Sequence, residues 1–375
     1  MSLFGKKEEE KNYLGVDIGG SSVKMVELKN NKGRAQLLTF GYLERSTKST
    51  KESLLDNPTE MAEAIKKVAE RAKVTSKDVV TALPASAVFS TILNLNEVTP
   101  KDVNSIKKMT LAVEGEAKKV LPLPIEEMVL DWKVLNPEAF KVISAEEDDS
   151  DIPTMVPKSV QVLLTAAAKS LVKQYIDIFK KAGMNLLSLE TESFAMARTL
   201  VGKDKSPVVI IDIGAANTDI MVVDNGLPVM QRSVDVGGYN LSVALSETMG
   251  ITLDQAEQFK RDLGNYDGPI DVENIVPPII ERILQPIVNE VKFLLQFFHE
   301  QPGNEQKRID RIILSGGTAK IMNIDEYFTN IFNIRAFPGD PFARVIYADD
   351  LRPLLDNIGS RLAVAVGLAM REIDK

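Results

Sequence analysis

Residues 13–24 read YLGVDIGGSSVK, and residues 208–219 read VVIIDIGAANTD. Each is an apolar run suited to a buried strand, then Asp-Ile-Gly, then small polar residues, then a second β-rich run. Small residues after the strand let the backbone turn tightly and bring its N–H groups close to an anion. The first copy supplies Gly19, Gly20, Ser21 and Ser22 at the turn, with Lys24 near the position of a β- or γ-phosphate. The second supplies Gly214, Ala215, Ala216, Asn217 and Thr218. Asp17 and Asp212 end the two opening strands and suit a hydrated Mg²⁺, which keeps several waters and needs few protein carboxylates. A hairpin with an incidental Asp would account for either copy alone. Two copies facing each other would clamp a phosphate chain from both sides.

Two later stretches extend this reading. Leu314-Ser-Gly-Gly-Thr-Ala319 follows the β-like run RIDRIIL. Gly316 and Gly317, with Thr318, would let a flat ring approach the backbone there, as an adenosine turn. Ala256-Glu-Gln-Phe-Lys-Arg261 lies in a predicted helix. Glu257, Lys260 and Arg261 then share one side, where a carboxylate can bind ribose hydroxyls and the cations can approach base or phosphates. An ordinary intrahelical ion pair is the plainer reading of that trio.

Composition limits the alternatives. A chain of 375 residues is long enough for two lobes or more. Net charge is −8, so no basic excess is available to neutralise a nucleic-acid backbone. There is no cysteine, which excludes thiolate catalysis and Cys-ligated metal sites. The one histidine, His299 in FLLQFFHE, reads as a helix-surface residue and not as a ligand or catalytic base. No apolar stretch approaches 18 residues and no signal-peptide core is present, so a cytoplasmic protein without membrane insertion is expected.

Along the chain, residues 13–44 read as three strands with a turn at NNKG. A helix is expected over 58–72 and a strand over 78–83, ended by Pro84. Residues 86–158 do not continue that pattern. Two β-like runs flank a helix near 100–119, and the acidic run 146–151 reads as a solvated loop. This is expected to be an inserted α/β subdomain. Strand, helix closed by Gly183, strand and helix follow over 159–202. Three strands of the second copy, helices near 239–249, 252–263 and 278–300, the strand into LSGGTA, and an apolar helix over 359–371 complete the chain. The expected division is a flexible terminus 1–12, a first lobe of 13–85 and 159–206 with 359–375 packed back on it, the insertion 86–158, and a second lobe 207–358.

The motifs in this order resemble the actin-like ATPase superfamily. DIGGSSVK and DIGAANTD are similar to its two phosphate loops, LSGGTA to its adenosine loop, and AEQFKR to its ribose and adenine helix. The resemblance implies an α/β, actin-like (ribonuclease H-like) duplicated two-lobe fold with an inserted FtsA-type subdomain. It places Glu192, in SLETESFAMAR, where a water-orienting carboxylate sits. The superfamily usually carries Pro after that Glu, and this chain carries Ser193. More narrowly, the chain resembles the PilM family of type IV pilus assembly over nearly its whole length, through SLFGKK, LGVDIGGSSVKMVEL, VLPLPIEEMVLDWKVL and AVAVGLAMRE. That implies ATP and Mg²⁺ binding with weak or conditional hydrolysis. It also implies a partner, the N-terminal cytoplasmic peptide of PilN, which recruits the protein to the inner face of the inner membrane and docks in a groove between the first lobe's core and the inserted subdomain. Val88, Phe89 and Ile92 are candidates for lining that groove or for strand core. Contacts with other pilus components and assembly motors, and self-association, are compatible with the family. An FtsA-like division filament would need an amphipathic membrane helix after residue 371, which the sequence does not suggest. A sugar-kinase-type phosphotransferase would need a general-base Asp, for which no candidate stands out.

Overall fold

The opening copy folds as a hairpin. Strand β1 (Asn12–Gly19) runs antiparallel to β2 (Ser22–Asn31), with Asp17 opposite Lys24 and Gly19 opposite Ser22. The chain reverses again at Lys32 and Gly33, both at positive φ, into β3 (Arg34–Glu44). Helix α1 (Pro58–Ala72) starts where the Asn57 side chain accepts from Glu60 N–H, and it buries Met61, Ile65 and Val68 beside β2 and β3. β4 (Asp78–Leu83) pairs in parallel with β1. This computed structural model describes residues 11–20, 22–44, 57–96, 98, 102, 105–135, 160–263, 278–301, 303–321 and 323–373. The expected flexible terminus up to residue 10, Ser21 and the acidic run 146–151 lie outside them.

The chain divides into two compact units, Met1–Ala85 with Ile176–Lys375, and Ser86–Tyr175. The smaller unit holds β5 (Val88–Leu95), α2 (Ile106–Ala117), β6 (Met128–Val134) and β7 (Val160–Ala168). The strands form an antiparallel sheet in the order β5-β7-β6. Met109 and Val113 of α2 bury against Leu93, Leu95, Val162 and Leu164. Val88 is buried and Phe89 packs against that core. The boundary expected at 158 falls just before β7. Its VQVLLTAAA pattern fits a central strand of any sheet, and pairing on both edges by β5 and β6 places it in this one. Helix α3 (Lys169–Lys181) leads out of the unit.

In the larger unit, β8 (Asn185–Thr191) pairs with β4 and leads into α4 (Glu192–Met196), which continues as a π-turn over Ala197–Val201. The second copy then forms β9 (Val208–Ile213), β10 (Thr218–Asp224) and β11 (Leu227–Val234), again a meander. Helices α5 (Gly238–Met249), α6 (Leu253–Leu263) and α7 (Pro278–Glu300) follow. α7 buries Leu284, Ile287, Val291, Leu294 and Phe298, while His299 stays exposed with Nδ1 2.6 Å from Leu295 O. β12 (Arg311–Ser315) adds to β9 in parallel, and after α8 (Ile324–Phe332), β13 (Arg335–Pro338) adds to β12.

Two sheets result, β11-β10-β9-β12-β13 and β14-β3-β2-β1-β4-β8, where β14 (Val345–Ile346) brings the chain back to β3. That return falls inside the span 207–358 assigned from sequence to the second lobe, and a strand of two residues carries no periodicity to reveal it. After α9 (Arg352–Ile358) and a tight turn over Gly359–Leu362 comes α10 (Ala363–Met370), buried on all sides. One core joins Val80 and Ala82 of the first sheet, Ile210, Met221 and Ile313 of the second, Met196 of α4, and Val364 and Leu368 of α10. Gly367 allows this packing, because a Cβ there would lie 2.0 Å from Ala195 O. Among the described residues, no helix is long and apolar enough to cross a membrane.

Candidate functional site

The two hairpin turns meet. A Cβ at Gly20 would lie 3.7 Å from Ala216 Cβ, so the turn after β1 and the turn after β9 face each other across a narrow gap. Beneath the first turn Asp17 is 3% exposed, and Lys24, on the neighbouring strand, donates to its Oδ2 at 2.8 Å. Beneath the second, β-pairing sets Asp212 directly opposite Asp219. Asp219 accepts from Asn217 Nδ2 at 3.0 Å and from Ser233 Oγ at 2.6 Å. Glu192 opens α4, where Thr191 caps the helix, and its Oε2 accepts from Ala85 N–H at 3.0 Å.

These carboxylates crowd one another. Burial, then the charge of Asp219, raises the Asp212 pKa to about 7, although Lys24 and a hydrogen bond from Ser315 act to lower it. Burial, then Asp17 and Asp219, holds Glu192 well above the usual carboxylate range. Burial also raises Asp219, against its bonds to Ser233 and Asn217. Burial acts against the Lys24 ammonium, but Asp17, with Asp212 and Glu192 behind it, more than offsets that and raises its pKa. A site with this much carboxylate facing one lysine is short of positive charge.

On the other side of β9, the β12 strand delivers Gly316 at φ +88°, with its N–H donated to Ser360 O at 3.2 Å. A Cβ at Gly316 would sit 2.3 Å from Ile213 O and 2.9 Å from Asp212 Oδ1, so only glycine lets this turn lie against the second hairpin. Gly317 faces the Arg361 side chain, and Thr318 Oγ1 lies against Gly238. On α6, Lys260 Nζ contacts Glu257 at 2.6 Å, Ser242 Oγ at 3.0 Å and Gly238 O at 2.9 Å. Arg261 Nε lies 3.3 Å from Glu257 Oε1, while its Nη2 reaches Glu44 of β3 at 2.9 Å. Arg361 Nη1 meets the same Glu44 at 2.7 Å.

Of the residues expected from sequence, Asp17, Gly20, Lys24, Glu192, Asp212, Gly214, Ala215, Ala216 and Asn217 gather about the facing turns, with Gly19 and Ser22 at the first turn's strand ends. Gly316, Gly317, Thr318, Glu257, Lys260 and Arg261 lie on the β12 and α6 side of the second hairpin. Thr218 does not open onto the gap. It is 0% exposed and donates to Val236 O at 2.6 Å, because period-two alternation turns its side chain away from the Asp219 face. The Asn217 amide is occupied by Asp219 and Ser233. Sequence reasoning missed Asp219, Ser315, Glu44 and Arg361. Asp219, the last residue of the DIGAANTD repeat, and Ser315, inside LSGGTA, each had a signal in a motif already singled out.

A magnesium ion fits this donor set. Hard carboxylate oxygens of Asp17 and Asp212 lie beneath the facing turns, and the carboxylates there outnumber the facing cation. Among the described residues no three acidic or His side chains converge as a ready-made cage.

A sequence profile for the type IV pilus assembly protein PilM matches residues 15–373. The chain belongs to the PilM family. A solved PilM–PilN type IV pilus biogenesis complex superposes at TM-score 0.76 with 25% identity, covering 97% of this chain and 99% of that one. MreB5 of Spiroplasma citri, solved with AMPPNP bound, is 15% identical at TM-score 0.53, covering 97% of each chain, a likeness of fold. The cell division protein FtsA of Bacillus subtilis is 21% identical over 349 residues, 83% of this chain and 74% of that protein. The PilM family member described here therefore has the actin-like duplicated fold with a small inserted α/β subdomain.

Proposed function

We propose that this PilM family member binds Mg-ATP between the two glycine hairpins and acts as a nucleotide-dependent adaptor of the type IV pilus machinery. The observation that carries the reading is the approach of Gly20 to Ala216 above buried Asp17 and half-buried Asp212. The turns supply backbone donors for a phosphate chain, Lys24 supplies charge, and Asp17 and Asp212 hold Mg²⁺ through water. When bound, the ion neutralises phosphate charge and relieves the carboxylate repulsion described above. Glu257, Lys260 and Arg261 receive the ribose and base, and the Gly316-Gly317 turn lets the base lie flat. Glu192 orients a water for weak or conditional hydrolysis.

The partner is the N-terminal cytoplasmic peptide of PilN, which holds the protein at the inner face of the inner membrane. Support comes from family membership and from likeness to the solved PilM–PilN complex. If lobe closure on nucleotide changes peptide affinity, the peptide must change nucleotide affinity by the same factor. Calorimetric titration with Mg-ATP and the PilN peptide, alone and together, tests this. The reading predicts saturable binding of both, with each ligand shifting the other's affinity. Loss of neither on Asp17→Ala or Asp212→Ala would remove the clamp, and absence of peptide binding would remove the adaptor.

A further inference from the structure

Glu192 is held by more than its own helix. Its Oε2 accepts from Ala85 N–H at 3.0 Å, and the carbonyl of that same Ala85 accepts from Gln231 Nε2 at 3.5 Å. Gln231 Oε1 in turn accepts from Ser193 Oγ at 2.6 Å. Ser193 follows Glu192 in the chain, so the ring closes through one covalent link. Its members come from the residue after β4 and Pro84, from β11 of the second sheet, and from the first turn of α4.

The chemistry of the ring is specific. Ser193 is 0% exposed, and a hydroxyl taken out of water needs an acceptor inside the protein. Gln231 is that acceptor. α4 has a single regular turn before it widens into a π-turn, too little helix to fix a carboxylate unaided.

We propose that Gln231 is a positioning residue for Glu192, acting through Ser193 and Ala85. The proposal rests on the Mg-ATP reading of the cleft and on Glu192 as the group that orients water. In that reaction the water oxygen bonds the γ-phosphorus and the bond to the β–γ bridging oxygen breaks. ADP departs, and the water's proton ends on inorganic phosphate. Gln231 touches none of these atoms. It fixes the direction of Glu192 toward the water, and because it sits on the second sheet, the angle between the sheets sets that direction.

The test uses the full chain and its Glu192→Gln, Ser193→Ala, Gln231→Leu and Ser193→Ala/Gln231→Leu variants. Mg-ATP affinity is measured by calorimetry, and hydrolysis by single turnover of labelled ATP. Ser193→Ala and Gln231→Leu should each slow turnover about tenfold with affinity held within about twofold, and the double variant should be no slower than either. That split between rate and affinity, with non-additivity, is what a merely structural role would not produce. Should Gln231→Leu not fold, Ser193→Ala removes only one oxygen and carries the same measurement. Unchanged turnover in the single variants beside a loss in Glu192→Gln overturns the relay and leaves the cleft assignment standing. Additive losses, or a wild-type chain that binds Mg-ATP without any turnover, also overturn the relay. A wild-type chain that does not bind Mg-ATP overturns the cleft assignment itself.

Discussion

The facing carboxylates make the ligand-free protein sensitive to pH. Asp212 rises from an ordinary 3.8 to about 7 in the fold, so the native state holds this proton more tightly than the unfolded chain. The resulting contribution is full stability below about pH 4, lost progressively as pH rises toward 7, and constant above it. The loss is about 4 kcal/mol for a shift of this size. Chemical denaturation of the wild type and of Asp212→Asn between pH 4 and pH 8 checks it: the variant should show a flatter profile and greater stability at pH 8. Equal slopes would mean that another group carries the titration. A second outcome is expected at Glu192. Replacing it with Gln keeps the hydrogen-bond shape but removes the charge, so Mg-ATP should still bind, at least as tightly, while turnover falls by 10²-fold or so. Asp17, Asp212 and Glu192 were legible in the sequence because a strand-end Asp before glycine repeats, and because Glu192 sits in a family motif. Gln231 was not. A lone polar residue on a strand carries no sign of what its neighbours will be once two sheets close.

At the scale of elements, alternation and glycine turns made the hairpins of both copies readable, and the spacing of Met61, Ile65 and Val68 gave the buried face of α1. Two features escaped, each for its own physical reason. β7 is apolar enough for either sheet, and only long-range pairing decides between them. β14 is too short to show any period. The C-terminal helix shows the opposite case, where sequence says buried and structure says how tightly. Gly367 of α10 lies against the backbone of α4, with no room for a Cβ beside Ala195 O. Gly367→Ala should therefore destabilise by about 3 kcal/mol or more, because the obstruction is backbone and cannot rotate away. Gly115, inside α2, has no atom within 4 Å of the corresponding position. Gly115→Ala should instead stabilise by about 0.5–1 kcal/mol through helix propensity alone. Calorimetric unfolding of the two variants should move Tm in opposite directions. A Gly367→Ala protein with unchanged Tm would contradict the close approach of α10 to α4.

At the scale of the molecule, the ends of three separate elements meet on one carboxylate. Glu44 closes β3 of the first sheet, Arg261 lies on α6 beside the second sheet, and Arg361 lies in the turn before α10. Glu44 and Arg361 are 317 residues apart in the chain, so no local pattern could announce their pairing. Arg261 also contacts Glu257, so the bridge runs from the first sheet into the residues assigned to ribose and base. Such partly exposed pairs contribute about 0.2–1 kcal/mol each. That is small against folding stability but large enough to matter if the proposed nucleotide cleft opens and closes. Glu44→Gln keeps the size of the side chain and removes the charge that both arginines share. Dissociation of a fluorescent ATP analogue from this variant should be about 2–10-fold faster than from wild type, with unfolding stability changed by less than about 1 kcal/mol. Because a charge pair open to solvent is screened, about 0.5 M salt should speed release from the wild type toward the variant's rate and leave the variant nearly unaffected. Equal release rates in low salt would show that the bridge forms without restraining the cleft. A variant that releases faster yet keeps the wild-type salt response would place the restraint on other charges.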